Sequence, residues 1–236
     1  MARLPDAPLN EPVPPPVEFR LPSRKTCRWI VFTIIFVMAV AGVIYPFFIK
    51  RSRGRDWAPY AATNLRQIGL ALFEFENAYG SYPDAITIDA VRKSSGSDLP
   101  LGTKTSNDFL RQLIASGMTR SESMFYAKIR GSKKPDNLID ASNALVKGEV
   151  GFSYLSGLSS AGDPTRPIAV TPLIPGTDRF DPKPFKGKAV ILRIDSSVSS
   201  MTINKNGHVM EGRWNLLDPA HPMWGGKPPV IVWPDL

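Results

Sequence analysis

Sulfur and imidazole are nearly absent. The 236-residue chain has one cysteine, Cys27, and two histidines, His208 and His221. A lone cysteine excludes an intramolecular disulfide and any cysteine-based metal centre. Two histidines far apart, in loop-like surroundings, do not form a helical metal pair. A Gly-rich phosphate loop is missing, and so is a Gly-x-Ser-x-Gly nucleophile elbow. The nearest approach, Gly151-Phe-Ser-Tyr-Leu-Ser-Gly157, spaces its glycines too widely and reads as a strand and turn. Asp84 and Asp89 lie near a loop without further ligands for a calcium site. Asp195, Asn204 and Asn206 read as turn residues. The expectation is a non-enzymatic protein with no catalytic residue, cofactor or metal.

A basic surface is missing over most of the chain as well. The net charge is +8, but residues 1–55 hold nine Lys/Arg against three Asp/Glu, and residues 56–236 hold twenty against eighteen. The excess flanks an apolar run, where basic residues meet anionic head groups. Nothing in residues 56–236 favours nucleic acid.

That apolar run is Trp29 to Ile49, 21 residues without a charge. As a helix it is about 31 Å long, enough to cross the hydrocarbon core of a bilayer. Trp29 and Tyr45 stand towards its ends, where amphipathic rings prefer the interface, and Pro46 lies in its last turn. Ile35, Val40 and Ile49 are typical of its lipid-facing composition. Ala39-Val40-Ala41 also fits a secretory cleavage pattern, but cleavage there would leave a sticky apolar end. The run therefore reads as a retained transmembrane helix, with the bilayer as its partner. Basic residues are balanced across it, so charge alone does not orient it. Cys27 reads as a plain thiol at the membrane edge.

Residues 1–28 read as a disordered, basic, Pro-rich tail, with seven prolines by residue 23. Residues 50–80 read as an amphipathic helix. Leu65, Ile68, Leu72, Phe75 and Tyr79 alternate at spacings of three and four and make one packing stripe. Pro59 suits a helix start and Gly80 a C-cap. Residues 81–236 read as one globular domain. A short helix is expected over Asp108–Ala115, capped by Ser106 or Asn107. Strands are expected over Ser123–Ile129, Gly151–Leu158, Ile168–Leu173, Lys188–Ile194 and Val198–Asn204. Turns are expected at Asp195-Ser196-Ser197 and at Asn206-Gly207. Residues 214–236, rich in Pro, Gly and Trp, read as ordered coil wrapping the domain. The fold class is α+β: a transmembrane helix, its amphipathic extension and a C-terminal antiparallel sheet.

Two segments resemble a known family. Asn64-Leu-Arg-Gln-Ile-Gly-Leu-Ala-Leu-Phe-Glu-Phe-Glu-Asn-Ala-Tyr-Gly-Ser-Tyr-Pro83 is similar to the helix-to-loop segment of bacterial prepilin-like proteins, which read N-N-L-[KR]-Q-I-G-L-A-L and then Y-G-x-[FY]-P. The positions that carry the likeness are Asn64, Gln67, Gly69, Tyr79, Gly80 and Pro83. Further on, Gly187 to Ser200 resembles the strand that ends in Asp-Gly-Ser-Val. Of the family's His-x9-Asp-Gly signature the chain keeps Asp195, with Phe185 at the histidine and Ser196 at the glycine. The Gly-Phe-Thr-x-x-Glu peptidase site is missing from Lys25–Thr33, and with it the glutamate that aligns pilus subunits.

The resemblance implies a pilin-like fold and a pseudopilin-like structural or accessory component of a type II secretion or pilus-like system. It implies the bacterial inner membrane, a cytoplasmic N-terminus and a periplasmic domain. The partners it implies are other pseudopilin-like subunits or secretion-machine proteins. A competing reading is a membrane-tethered periplasmic module for glycans or cell wall, with exposed Trp214, Trp224 and Trp233 as its sugar-binding rings.

Overall fold

The computed structural model of the protein describes Trp29, residues 32–40 and residues 56–236. The chain divides into two compact units, Met1–Arg55 and Asp56–Leu236. In the first, Trp29 and residues 32–40 are helical, and Trp29, Ile35 and Val40 are exposed. Thr33 Oγ1 donates to the Trp29 carbonyl at 2.9 Å. Among the described residues no helix is long and apolar enough to cross a membrane. The rest of the expected span, with Tyr45, Pro46 and Ile49, lies outside them, as does the Pro-rich tail.

The second unit is an α+β domain. It opens with helix α1, Ala58–Tyr79. Pro59 sits in the first turn, where the N–H it lacks would have no helical partner. The Ala58 N–H instead meets Asp56 Oδ1 at 3.0 Å. Gly80 ends the helix in the left-handed conformation at φ +81°, its N–H on the Glu76 carbonyl. The expected stripe is the buried face. Leu65, Ile68, Leu72 and Phe75 are fully buried, and half-buried Tyr79 stacks on Phe75 at 4.5 Å. Each such side chain contributes roughly 1.5–3 kcal/mol by leaving water.

Two short helices follow. Asp84 and Thr87 form a capping box around a single 3₁₀ turn, which continues into α2, Ile88–Ser95. Helix α2 has no apolar stripe to announce it, since Val91 is its only buried residue. Helix α3 runs Ser106–Ala115, two residues earlier than expected at its start. Its cap is Thr105, which forms a capping box with Asp108. Ser106 and Asn107 are free of capping because they bind elsewhere. Ser106 Oγ donates to the Phe152 carbonyl, and Asn107 Nδ2 donates to the Leu145 and Val146 carbonyls.

The sheet has five strands, β1 Ser153–Ser156, β2 Pro167–Thr171, β3 Lys188–Arg193, β4 Val198–Thr202 and, after the two-residue hairpin strands β5 Met210–Glu211 and β6 Trp214–Asn215, β7 Val230–Val232. The order is β4-β3-β2-β1-β7, with every neighbouring pair antiparallel. Tyr154 stands opposite Ala169 on one side and Val232 on the other, and Leu192 stands opposite Ala169 and Val198. β3 is buried from Ala189 to Arg193, so its sequence is an unbroken apolar run rather than an alternation. Tyr154, Val190 and Leu192 face α1, whereas Leu155, Val170, Ala189 and Ile191 face a second core with Ile203, Val209, Leu216 and Trp224. Gly69 brings α1 down onto β3: a Cβ there would lie 3.1 Å from Leu192 Cδ1.

Two expectations are corrected. Ser123–Ile129 is not a strand but the end of a 3₁₀ turn, Glu122–Phe125, followed by coil. Its carbonyls are taken by other partners: Asn64 Nδ2 donates to those of Ser123 and Tyr126, and the Gly151 N–H to that of Phe125. No ladder remains for it to join. The C-terminal stretch is also not all coil, since it supplies β6 and the edge strand β7.

Candidate functional site

Most of the positions that carry the family resemblance have structural roles in this domain. Asn64 is buried and ties α1 to the 3₁₀ turn through the two bonds above. Gly69 permits close helix–sheet packing, and Gly80 is the C-cap. Tyr79 Oη lies 2.8 Å from Ser94 Oγ. Pro83 is buried, and its carbonyl accepts from Tyr154 Oη at 2.9 Å. Burial pushes the Tyr154 hydroxyl well above the ordinary range for tyrosine, and Tyr82 beside it is pushed up to about 12, by burial and then by Glu76. Gln67 is exposed on the outer side of α1. Phe185 is fully buried in the core beneath α1. Asp195 accepts from the Ser197 N–H, and Ser196 adopts φ +64° in the β3–β4 turn. These residues are spread over the unit and do not converge on a pocket.

The residues weighed for chemistry are likewise occupied. Asp84 caps and also accepts from the Gly157 N–H, and Asp89 sits in the first turn of α2. His208 Nε2 lies 3.7 Å from Asp178, and His221 Nδ1 accepts from the Met223 N–H. Among the described residues neither histidine is hydrogen-bonded to a serine hydroxyl. Of the three indoles that the competing reading needs exposed, Trp224 is buried and Trp214 and Trp233 are half-buried. Trp224 Nε1–H donates to the Leu216 carbonyl within the C-terminal chain, and Trp233 Nε1–H ties that chain to the β2–β3 loop through the Thr177 carbonyl. An apolar groove of about 370 Å³ lies among Ile129, Arg130, Pro172, Leu173, Ile174 and Pro184.

Among the described residues one group of carboxylates converges, and it was not anticipated from the sequence. Glu122, at the start of the 3₁₀ turn, and Glu149, just before β1, are both fully buried. Exposed Asp136 completes a group whose three carboxylate oxygens lie within 4.8 Å of one another. Segment 144–146 organises it. Its carbonyls are held from one side by α3: Arg111 Nε and Nη2 donate to Ala144 and Leu145, and Asn107 Nδ2 donates to Leu145 and Val146. Its N–H groups point the other way. Leu145 N–H donates to Glu122 Oε1 at 2.7 Å and Val146 N–H to Glu149 Oε2 at 2.9 Å. To do this Leu145 takes φ +48°, a conformation costly for a bulky residue. Asn137 at φ +61° accepts from the Glu122 N–H through its Oδ1.

Each buried glutamate thus spends one oxygen on a backbone N–H and keeps the other buried. Glu149 Oε1 has Lys133 Nζ at 3.4 Å, while Glu122 Oε2 has no partner among the described residues. Burial raises the Glu122 carboxyl above its ordinary range, the Leu145 N–H opposes this, and the negative Glu149 and Asp136 add to it. The sequence carries no local signal for the group. Glu122 and Glu149 flank a long coil, and only its path brings them together.

No family model, no curated protein and no solved structure matches the chain.

Proposed function

We propose that the chain is a non-enzymatic, pseudopilin-like protein of the bacterial inner membrane, a structural or accessory component of a type II secretion or pilus-like system. In this reading residues 29–49 are a permanent anchor, the N-terminal tail is cytoplasmic and residues 51–236 are periplasmic. One observation carries the reading: shortly after the apolar run, the segment that resembles the prepilin-like family forms a 22-residue helix laid through Gly69 on an antiparallel sheet. Asn64 and Gly80 each hold a place that needs that residue type.

The outer side of α1 adds support. Leu70 is 66 % exposed and Phe73 53 %, an apolar pair on the side of the helix away from the sheet. Such a pair suits lateral packing of one subunit's helix on another. Cysteine crosslinking tests this with Leu70→Cys in a Cys27→Ser background. Covalent multimers in membranes are expected, and monomer alone would remove the subunit role. Protease protection of spheroplasts tests the topology. The domain should be digested from outside, and recovery of a soluble, truncated product would remove the anchor.

A further inference from the structure

We propose that Glu122, Glu149 and Asp136 form a binding site for a divalent cation with a preference for oxygen ligands, calcium being the best fit. Three observations carry this. Two carboxylates at 0 % exposure stand side by side with one half-exposed lysine to answer them. Buried charges are normally paired or ligate metals. Second, Glu122 Oε2 is buried and has no hydrogen-bond partner among the described residues, although Glu122 offers an oxygen to the cluster. The opposite oxygen of each glutamate is fixed by a backbone N–H, so the free ones are held in place before any ion arrives. Third, the ligand oxygens lie within 4.8 Å of one another, and two oxygens across a calcium ion at 2.3–2.6 Å stand about that far apart. Asp136 is exposed, which leaves an open side for entry and for water ligands.

The chemistry of the donors narrows the ion. There is no sulfur or imidazole in the group, which disfavours zinc and copper. Magnesium needs a near-ideal octahedron, whereas calcium accepts the irregular set that two glutamates, one aspartate and water provide. Lys133 reaches Glu149 with a side chain that is half exposed, so it can swing into solvent when an ion takes its place.

A cation here would do structural work. Residues 126–152 contain neither helix nor strand, and the domain has no cysteine with which to staple them. Glu122 stands in the 3₁₀ turn just before that stretch, Asp136 near its middle and Glu149 near its end. One ion would join all three to the segment that Asn107 and Arg111 already clamp from α3.

The test is thermal unfolding and calorimetry of the full chain in detergent, stripped with chelator and titrated with Ca²⁺ or Mg²⁺. Calcium at a hundred times its dissociation constant should raise the melting temperature by about 5–10 °C. Glu122→Gln should abolish that rise, and should melt higher than the wild type in chelator because an unpaired buried charge is gone. Should that variant fail to fold, Asp136→Asn serves in its place: the residue is exposed, and its loss should weaken calcium about tenfold or more through lost ligand charge. The site is overturned if the wild type shows neither a melting shift nor heat of binding up to about 10 mM Ca²⁺, the weak end of extracellular sites being near 1 mM. That outcome would mean that Glu122 is simply kept protonated beside Glu149. An equal response to Mg²⁺ would overturn the calcium assignment, and an undiminished response in both variants would place the ion elsewhere.

Discussion

One face of the sheet is covered by a 22-residue helix, and the other by turns and two-residue strands between Ile203 and Val230. The helix meets its own backbone hydrogen bonds, so all it asks of the sheet is a matching stripe: Leu65, Ile68, Leu72 and Phe75 against Tyr154, Val190 and Leu192. The irregular layer has no such ladder. Its polar backbone is satisfied by single turn bonds, such as Leu216 N–H on the Val209 carbonyl and Trp224 N–H on that of His221, and by side chains, Trp224 Nε1 on the Leu216 carbonyl and Arg166 Nε on that of Met223. A repeating layer therefore spreads its stability over many equivalent contacts. A coil layer concentrates it in a few large side chains.

The largest expected effect breaks the coil layer. Trp224→Ala removes a buried indole, its bond to Leu216 and its contact with the Arg166 guanidinium, which lies 5.8 Å from the ring. It should cost about 3–5 kcal/mol in urea unfolding. Leu72→Ala on the helix layer should cost about 2–5 kcal/mol, towards the low end where α1 can settle into the gap. Hydrogen exchange separates the two. Trp224→Ala should release amides of residues 203–230 before those of α1, and uniform release across the domain would contradict the contrast between the layers.

Next comes a buried side chain through which the helix layer behaves like the coil layer. Asn64 Nδ2 donates to the Ser123 and Tyr126 carbonyls at 3.0 and 2.8 Å. Asn64→Ala strands both acceptors beside a buried helix and should cost about 1–3 kcal/mol. Asn64→Asp should be at least as damaging, because it sets a buried negative charge against two carbonyl oxygens. A loss below 0.5 kcal/mol, by about the noise of surface substitutions, would show that the turn does not depend on α1.

A smaller effect has a pH signature. Tyr82 and Tyr154 both ionise at higher pH folded than unfolded. Stability from this source is therefore fully present below about pH 10, the ordinary tyrosine value. It is lost as pH rises from there towards about 12, the value for Tyr82. Tyr154→Phe should cost about 1 kcal/mol at neutral pH for the lost bond to Pro83, and it should flatten the alkaline fall in melting temperature. An unchanged alkaline slope would mean that Tyr154 does not contribute to it.

The same contrast explains how much of the fold could be read in advance. The helix layer was legible because a stripe at spacings of three and four leaves few alternatives, and Pro59 and Gly80 mark its ends. β2 and β3 were legible as apolar runs, and β1 and β4 as short segments bounded by turn residues. Ser123–Ile129 has the apolar content of a strand, and what denies it that role is a side chain from 59 residues earlier. β7 is three residues long and followed by coil, so only its pairing with β1 defines it. The carboxylate group was invisible for a related reason. Glu122 and Glu149 gain their meaning from Leu145 and Val146 N–H groups, which face them because Asn107 and Arg111 hold the opposite carbonyls. Periodicity reports on layers built by repetition, and neither the coil layer nor this group is one.

The smallest expected effect tests whether local rules hold where neither layer decides the outcome. The β3–β4 hairpin closes with Ser196 N–H on the Arg193 carbonyl and Arg193 N–H on that of Ser197. Ser196 is left-handed at φ +64°, in the place where such a turn takes glycine. The side chain is exposed, so a substitution changes no packing. A left-handed non-glycine residue costs roughly 1–2 kcal/mol, and glycine gives back part of that gain through the wider freedom of the unfolded chain. Ser196→Gly should therefore stabilise the domain by up to about 1 kcal/mol, with no change in the urea dependence and none in exchange from either layer. A net loss would mean that Asp195, whose carboxylate accepts the Ser197 N–H, already holds the turn in place without strain at Ser196.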